Sequence, residues 1–163
     1  MTRVKVTAPN DPVGSRIALS VSNLLAETSP KYLAGLDWIL IIHADSLSRT
    51  DRIRLLRKGD DQVLATYFPR VRRKRAHIEI YTVGMLRSKH SRNLLIPAFR
   101  DVFVARVLFH ELGHHIASEI EPAHANPEAV AETWRRKLAD RALRARFPTL
   151  YSLLPKLMRR AAE

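Results

Sequence analysis

His110-Glu111-Leu112-Gly113-His114 closes an apolar run, Val102-Phe103-Val104-Ala105-Arg106-Val107-Leu108-Phe109, that contains neither Pro nor Gly. The run reads as a buried core helix, and the pentapeptide at its end decides what that helix carries. Residues i and i+4 lie on one helical face, one turn apart. His110 and His114 are therefore expected to present an imidazole nitrogen each to one metal ion. Glu111 projects about 100° round the helix from His110, beside the ion and placed to polarise a water. Two imidazole ligands and a carboxylate base make the arrangement of a zinc hydrolase. Gly113 costs a helix roughly 1 kcal/mol relative to Ala, a cost that close backbone packing near the metal would justify. His115 falls about 100° from His114, off the ligand face, and is expected to pack.

A chain of 163 residues with 46% apolar residues is long enough to bury its own core, and residues 1–163 are expected to form a single domain. No apolar run is long enough to span a membrane, and Met1–Thr7 lacks the apolar core of a signal peptide. A cytoplasmic protein with no membrane contact is the expectation. The absence of cysteine excludes disulfides, thiolate zinc sites and cysteine nucleophiles, so any metal must be held by His, carboxylate or water. The net charge of +12, from 28 Lys and Arg against 16 Asp and Glu, favours polyanions as partners or acidic substrates. The cations cluster at Arg70, Arg72, Arg73, Lys74 and Arg75, at Arg135, Arg136 and Lys137, at Arg141, Arg144 and Arg146, and at Arg159 and Arg160. A solvated Arg-rich surface is the simpler account of them.

Around the motif the pattern predicts a mixture of strands and helices. Val4 and Val6 alternate in a short strand at Arg3–Thr7, which Asn10-Asp11-Pro12 breaks. Ile17, Val21, Leu24 and Leu25 recur at helical spacing over Ser15–Ala26. Trp38-Ile39-Leu40-Ile41-Ile42 reads as a buried strand within Leu36–His43. Ser48–Lys58 is a short helix capped by Ser48 and closed by Gly59. Val63–Phe68 and Ala76–Tyr81 form a strand pair with a basic tip between them. In the second of these, Ile78 and Ile80 share one face and His77, Glu79 and Tyr81 the other. The motif helix is expected to run from Pro97 to Ser118, short of Pro122. Asn126-Pro127-Glu128 opens the next helix, which ends near Phe147-Pro148, and Tyr151–Arg160 forms a last helical segment.

A catalytic zinc site normally has three protein ligands and one open position. The pattern HExxHxxGxxH needs Gly at 117 and His at 120, where this chain has Ala117 and Ile120. The third ligand must come from elsewhere: a glutamate of the following helix, or His124 in the loop before it, with Glu119 and Glu121 as weaker alternatives.

The following helix contains Glu128-Ala129-Val130-Ala131-Glu132, with thirteen residues between His114 and Glu128. Over roughly residues 97–140 the chain resembles the gluzincins, in particular their minimal single-domain members. The resemblance implies that Glu128 is the third zinc ligand and that Glu132 orients a ligand imidazole, that of His110. It implies one Zn2+ per chain, with Glu111 as general base. It implies an α+β fold in which a small antiparallel or mixed sheet packs against the central motif helix, followed by a second, ligand-bearing helix. It implies a zinc metallopeptidase acting on a protein or peptide substrate. In such enzymes a His or Tyr often binds the oxyanion, with His124 and Tyr151 as candidates here, and extended substrates align on a sheet edge, for which the Ala76–Tyr81 strand is a candidate, a purely structural strand accounting for it at least as well. The residues alone explain the carboxylates in another way: Glu128 complements the helix dipole and Glu132 pairs with Arg136 at i+4. The alternative function is a nucleic-acid-associated basic protein built on a zincin-like scaffold, with Arg70–Arg75 and the Arg-rich 135–146 segment as its contacts.

Overall fold

The alternating and helical patterns resolve into four strands and five α-helices among the described residues of a computed structural model, namely 2–57, 63–72, 74–88, 91–121 and 126–149. The strands are β1 (Arg3–Val6), β2 (Leu36–Ile42), β3 (Ala65–Phe68) and β4 (Ala76–Tyr81). The α-helices are α1 (Pro12–Ala26), α2 (Arg49–Arg57), α3 (Thr82–Arg87), α4 (Pro97–His115) and α5 (Pro127–Arg146). Gly59, His90, His124 and the Tyr151–Arg160 segment lie outside the described residues.

The sheet is mixed, in the order β1-β2-β4-β3. β1 pairs parallel to β2, β2 parallel to β4, and β3 antiparallel to β4. The parallel β1–β2 pair needs a crossover, and α1 supplies it. β4, expected as a substrate-facing edge, is instead an interior strand, and β3 is the edge. Alternation tells a strand's two faces apart but not its neighbours, which is why this assignment failed. α1 begins at Pro12 rather than Ser15. Asp11, read as part of a break, is its N-cap and accepts a hydrogen bond from the Val13 N–H at 2.9 Å. Ser48 does cap α2, accepting from the Asp51 N–H at 3.1 Å.

α1 and α4 pack on one face of the sheet, and α5 packs along α4. Ile39 and Ile41 of β2 and Ile78 and Ile80 of β4 point into that layer with Ile17, Val21 and Leu24 of α1 and Leu108, Phe109 and Leu112 of α4, all fully buried. Each such side chain contributes about 1.5–3 kcal/mol, so the motif helix is anchored along its length before any metal binds. Among the described residues no helix is long and apolar enough to cross a membrane.

A polar cluster joins the three long helices. Asp101, 2% exposed, accepts from Arg146 at 2.8 and 3.1 Å and from the Ser20 hydroxyl, which in turn accepts from Arg100 Nε at 3.0 Å. Buried charges persist only when paired and hydrogen-bonded in this way. Asp101→Asn keeps the shape but removes the charge-assisted bonds, and is expected to cost about 2 kcal/mol in denaturant unfolding.

Candidate metal centre

The last turns of α4 bring His110 and His114 to the layer between the sheet and α5, each about one-quarter exposed. Their rings stand 4.9 Å apart and nearly perpendicular. Opposite them Asn126 caps α5, its side chain accepting from the Ala129 N–H at 3.1 Å, with Pro127 in the first turn as expected. That cap sets the position of Glu128 one residue into the helix. Glu128 Oε1 lies 3.2 Å from His110 Nε2, and Oε2 lies 3.4 Å from His114 Nε2. A tetrahedral ion about 2.0–2.1 Å from each donor needs donors about 3.3–3.4 Å apart. The imidazole–carboxylate separations match that spacing. His110, His114 and Glu128 are the one group of three His, Asp or Glu among the described residues whose possible donor atoms all lie within 4.8 Å of one another. Burial pushes the His114 pKa down, with His110 adding to the effect and Glu128 opposing it. A neutral imidazole is the form that binds metal.

What holds α5 this close is Gly113. A Cβ built there would lie 2.5 Å from the Ala131 carbonyl oxygen and 2.6 Å from its Cα. The helical cost of this glycine is thus matched by the backbone approach of the two helices.

Glu132, one turn beyond Glu128, has its nearest oxygen 3.9 Å from His110 Nδ1, beyond hydrogen-bond distance. Its bonds go to Arg135, at 2.7 Å to Nε and 2.5 Å to a terminal nitrogen, and to Arg136 Nε at 3.1 Å. Arg135 is 4% exposed. The two guanidiniums, Arg135 first, hold the Glu132 carboxyl down at about 2. The sequence reading anticipated the Arg136 pair but not the buried Arg135 clamp.

Glu111 sits beside the three donors in a cleft of about 440 Å³, walled also by Thr66, Tyr67, His114, Ala117 and Ser118. Its Oε2 accepts a hydrogen bond from the Tyr67 backbone N–H at 2.7 Å. Burial pushes its pKa above the usual carboxylate value, and Glu128 adds to this, while His110 and the Tyr67 N–H oppose it. Tyr67 is a site residue the sequence reading missed, because a backbone donor has no side-chain signature.

Beyond His115 the helix widens into a single π-type turn, Ile116–Ile120, where the motif helix was expected to continue to Ser118 in α form. That turn carries Ser118 to the cleft wall, its Oγ 2.9 Å from the Tyr67 hydroxyl. His115 is buried off the ligand face, as expected. Its Nε2 lies 2.9 Å from the Ala34 carbonyl oxygen and its Nδ1 3.3 Å from the Tyr67 hydroxyl. The carbonyl accepts only, so Nε2–H donates to it and Nδ1 accepts from Tyr67. Of the other third-ligand candidates, Glu119 is exposed, and Glu121 accepts from Trp134 Nε1 at 3.3 Å. His124 and Tyr151 fall outside the described residues. No family model matches the chain, and no curated protein or solved structure shows significant similarity to it.

Proposed function

We propose that this chain is a zinc-dependent hydrolase of gluzincin type, acting on peptide bonds. The observation that carries the reading is that Glu128 sets one oxygen 3.2 Å from His110 Nε2 and the other 3.4 Å from His114 Nε2, with Glu111 alongside. Zinc held by those three residues supplies Lewis acidity, polarising a carbonyl and bringing the pKa of a water toward ~7.

The chain's own groups account for the remaining chemistry. Glu111 takes the proton of the attacking water and returns it to the leaving amine. A half-buried carboxylate whose pKa desolvation raises suits a proton carrier. The Tyr67 N–H fixes which carboxylate oxygen stays bonded and which faces the cleft. Because that N–H points away from β4, strand alternation turns the Ala65 N–H and C=O to the same open edge. An extended peptide pairing there would lie along the cleft. Glu132, held by Arg135 and Arg136, completes the second carboxylate of the ExxxE pair near His110 Nδ1.

Elemental analysis of purified protein tests the metal. Wild type is expected to carry about one zinc per chain, His114→Ala none, and Glu128→Ala a zinc bound more than tenfold more weakly. Because Glu132 lies 3.9 Å from His110 Nδ1 and is bonded to Arg135 and Arg136 instead, Glu132→Gln is expected to weaken zinc binding by less than about tenfold, below the effect of losing an orienting partner. A wild-type protein that stays metal-free after zinc loading and desalting refutes the proposal.

A further inference from the structure

The face of the sheet turned away from α1, α4 and α5 has the composition of a binding surface. One cross-strand row runs Arg3, Trp38, His77, Phe68, each the register partner of the next. Three of these four residues are rings. Phe68 and His77 stack with centroids 4.8 Å apart and planes 9° apart. Trp38 follows at 6.0 Å from His77, and Lys5 Nζ lies 5.0 Å over the Trp38 ring. A half-solvated sheet normally turns polar side chains outward. Here the outward row is aromatic, and it ends at Phe68 on the edge strand, 36% exposed, with no neighbouring strand beyond it among the described residues.

The charge around this row is positive. The β3–β4 connection leaves Phe68 and returns at Ala76, beside the rings, and Arg70, Arg72 and Lys74 within it are exposed. None of the three has an ion-pair partner among the described residues. Arg3 and Lys5 add two exposed cations on β1. The nearby carboxylates are engaged: Asp37 with Arg75 at 3.1 Å, Glu79 with the Tyr81 hydroxyl at 2.8 Å. By contrast, on α5 Arg136, Arg144 and Arg146 are paired with Glu132, Asp140 and Asp101. The Arg-rich helix therefore spends much of its charge within the fold, whereas among the described residues of the hairpin Arg75 is paired and Arg70, Arg72 and Lys74 are not.

We propose that the Phe68 end of this face binds single-stranded nucleic acid, with a base stacking on Phe68 as the outer member of the ring row and with Arg70, Arg72 and Lys74 on the phosphates. Rings offer a platform only to unpaired bases, whereas cations alone attract any polyanion. The side chains of Tyr67 and Phe68 point to opposite sides of β3, so this surface and the metal cleft lie on opposite faces and the proposal stands independently of the zinc chemistry.

The test is fluorescence anisotropy with a labelled oligodeoxythymidine of about 16 nucleotides, within the site size of one single-strand-binding fold. Competitors are a mixed-sequence duplex of equal length and polyglutamate, at fixed salt. The single strand is expected to bind at least tenfold more tightly than either competitor. Phe68→Ala should weaken it about tenfold and Phe68→Tyr should preserve it. Arg70→Ser combined with Arg72→Ser should weaken binding and flatten its salt dependence. An unchanged circular dichroism spectrum and denaturant-unfolding midpoint in each variant report that the fold is intact. Equal binding of duplex or polyglutamate, or binding indifferent to Phe68→Ala in a folded protein, overturns the proposal.

Discussion

Gly113→Ala is expected to destabilise the protein by about 3 kcal/mol or more and to abolish tight zinc binding, although Ala is the better helix former by roughly 1 kcal/mol. The added Cβ would meet the Ala131 carbonyl oxygen at 2.5 Å, its Cα at 2.6 Å and its carbonyl carbon at 2.9 Å. These are backbone atoms of a packed helix, so no side-chain rotation relieves the clash. α5 has to move away from α4 along the helix pair that forms the largest contact in the fold. Glu128 lies three residues before Ala131, within a turn of the contact point. Displacing α5 there opens the 3.2 and 3.4 Å spacings to His110 and His114 together. Denaturant unfolding and zinc titration should therefore fail in parallel. Ala105→Gly on the same helix is the control, expected to cost only about 1 kcal/mol of propensity plus a small cavity and to leave zinc binding intact. Gly113→Ala at wild-type stability with full zinc affinity would show that the helices do not depend on this approach.

That glycine also shows how far the chain can be read in advance. A glycine inside an apolar helix beside two metal-spaced histidines signals a close approach, but the partner that fills it, Ala131, is a matter of tertiary packing. His110, Glu111 and His114 were legible because one helix holds all three, and helical geometry alone places them. Asn126 and Pro127 were legible for the same reason, since a cap acts within a few residues. What escaped was set across the chain. The Tyr67 N–H reaches Glu111 only because β3 is the edge strand, and strand order follows from which hydrophobic face meets which helix. Arg135 was read as surface charge, yet it is buried and grips Glu132. Its i+3 offset from Glu132 was visible, and its burial was not. The mixed four-stranded sheet and the helix carrying the motif agree with the expected α+β class, while the antiparallel edge position went to a different strand than expected.

Glu111→Gln is expected to lower hydrolysis of a fluorescently labelled, unfolded protein substrate by about a thousandfold, within the 10²–10⁴ range for loss of a positioned base, while zinc content stays at the wild-type level. The side chains have the same shape, and the amide oxygen of Gln can still accept from the Tyr67 N–H, which holds Glu111 Oε2 at 2.7 Å. None of the three donors is touched. What disappears is the capacity to take up a proton, and burial has raised that capacity in Glu111 toward neutral pH. The substitution thus separates the base from the metal site. A rate that survives Glu111→Gln with metal retained would remove Glu111 from the chemistry and leave the His110–His114–Glu128 cluster as a binding centre only. A parallel fall in zinc and rate would mean that Glu111 supports the site rather than the proton transfer. Only loss of rate with zinc retained is compatible with a carboxylate that acts as a base, lies beside the three donors, is bonded to the edge strand and is half-buried in the cleft.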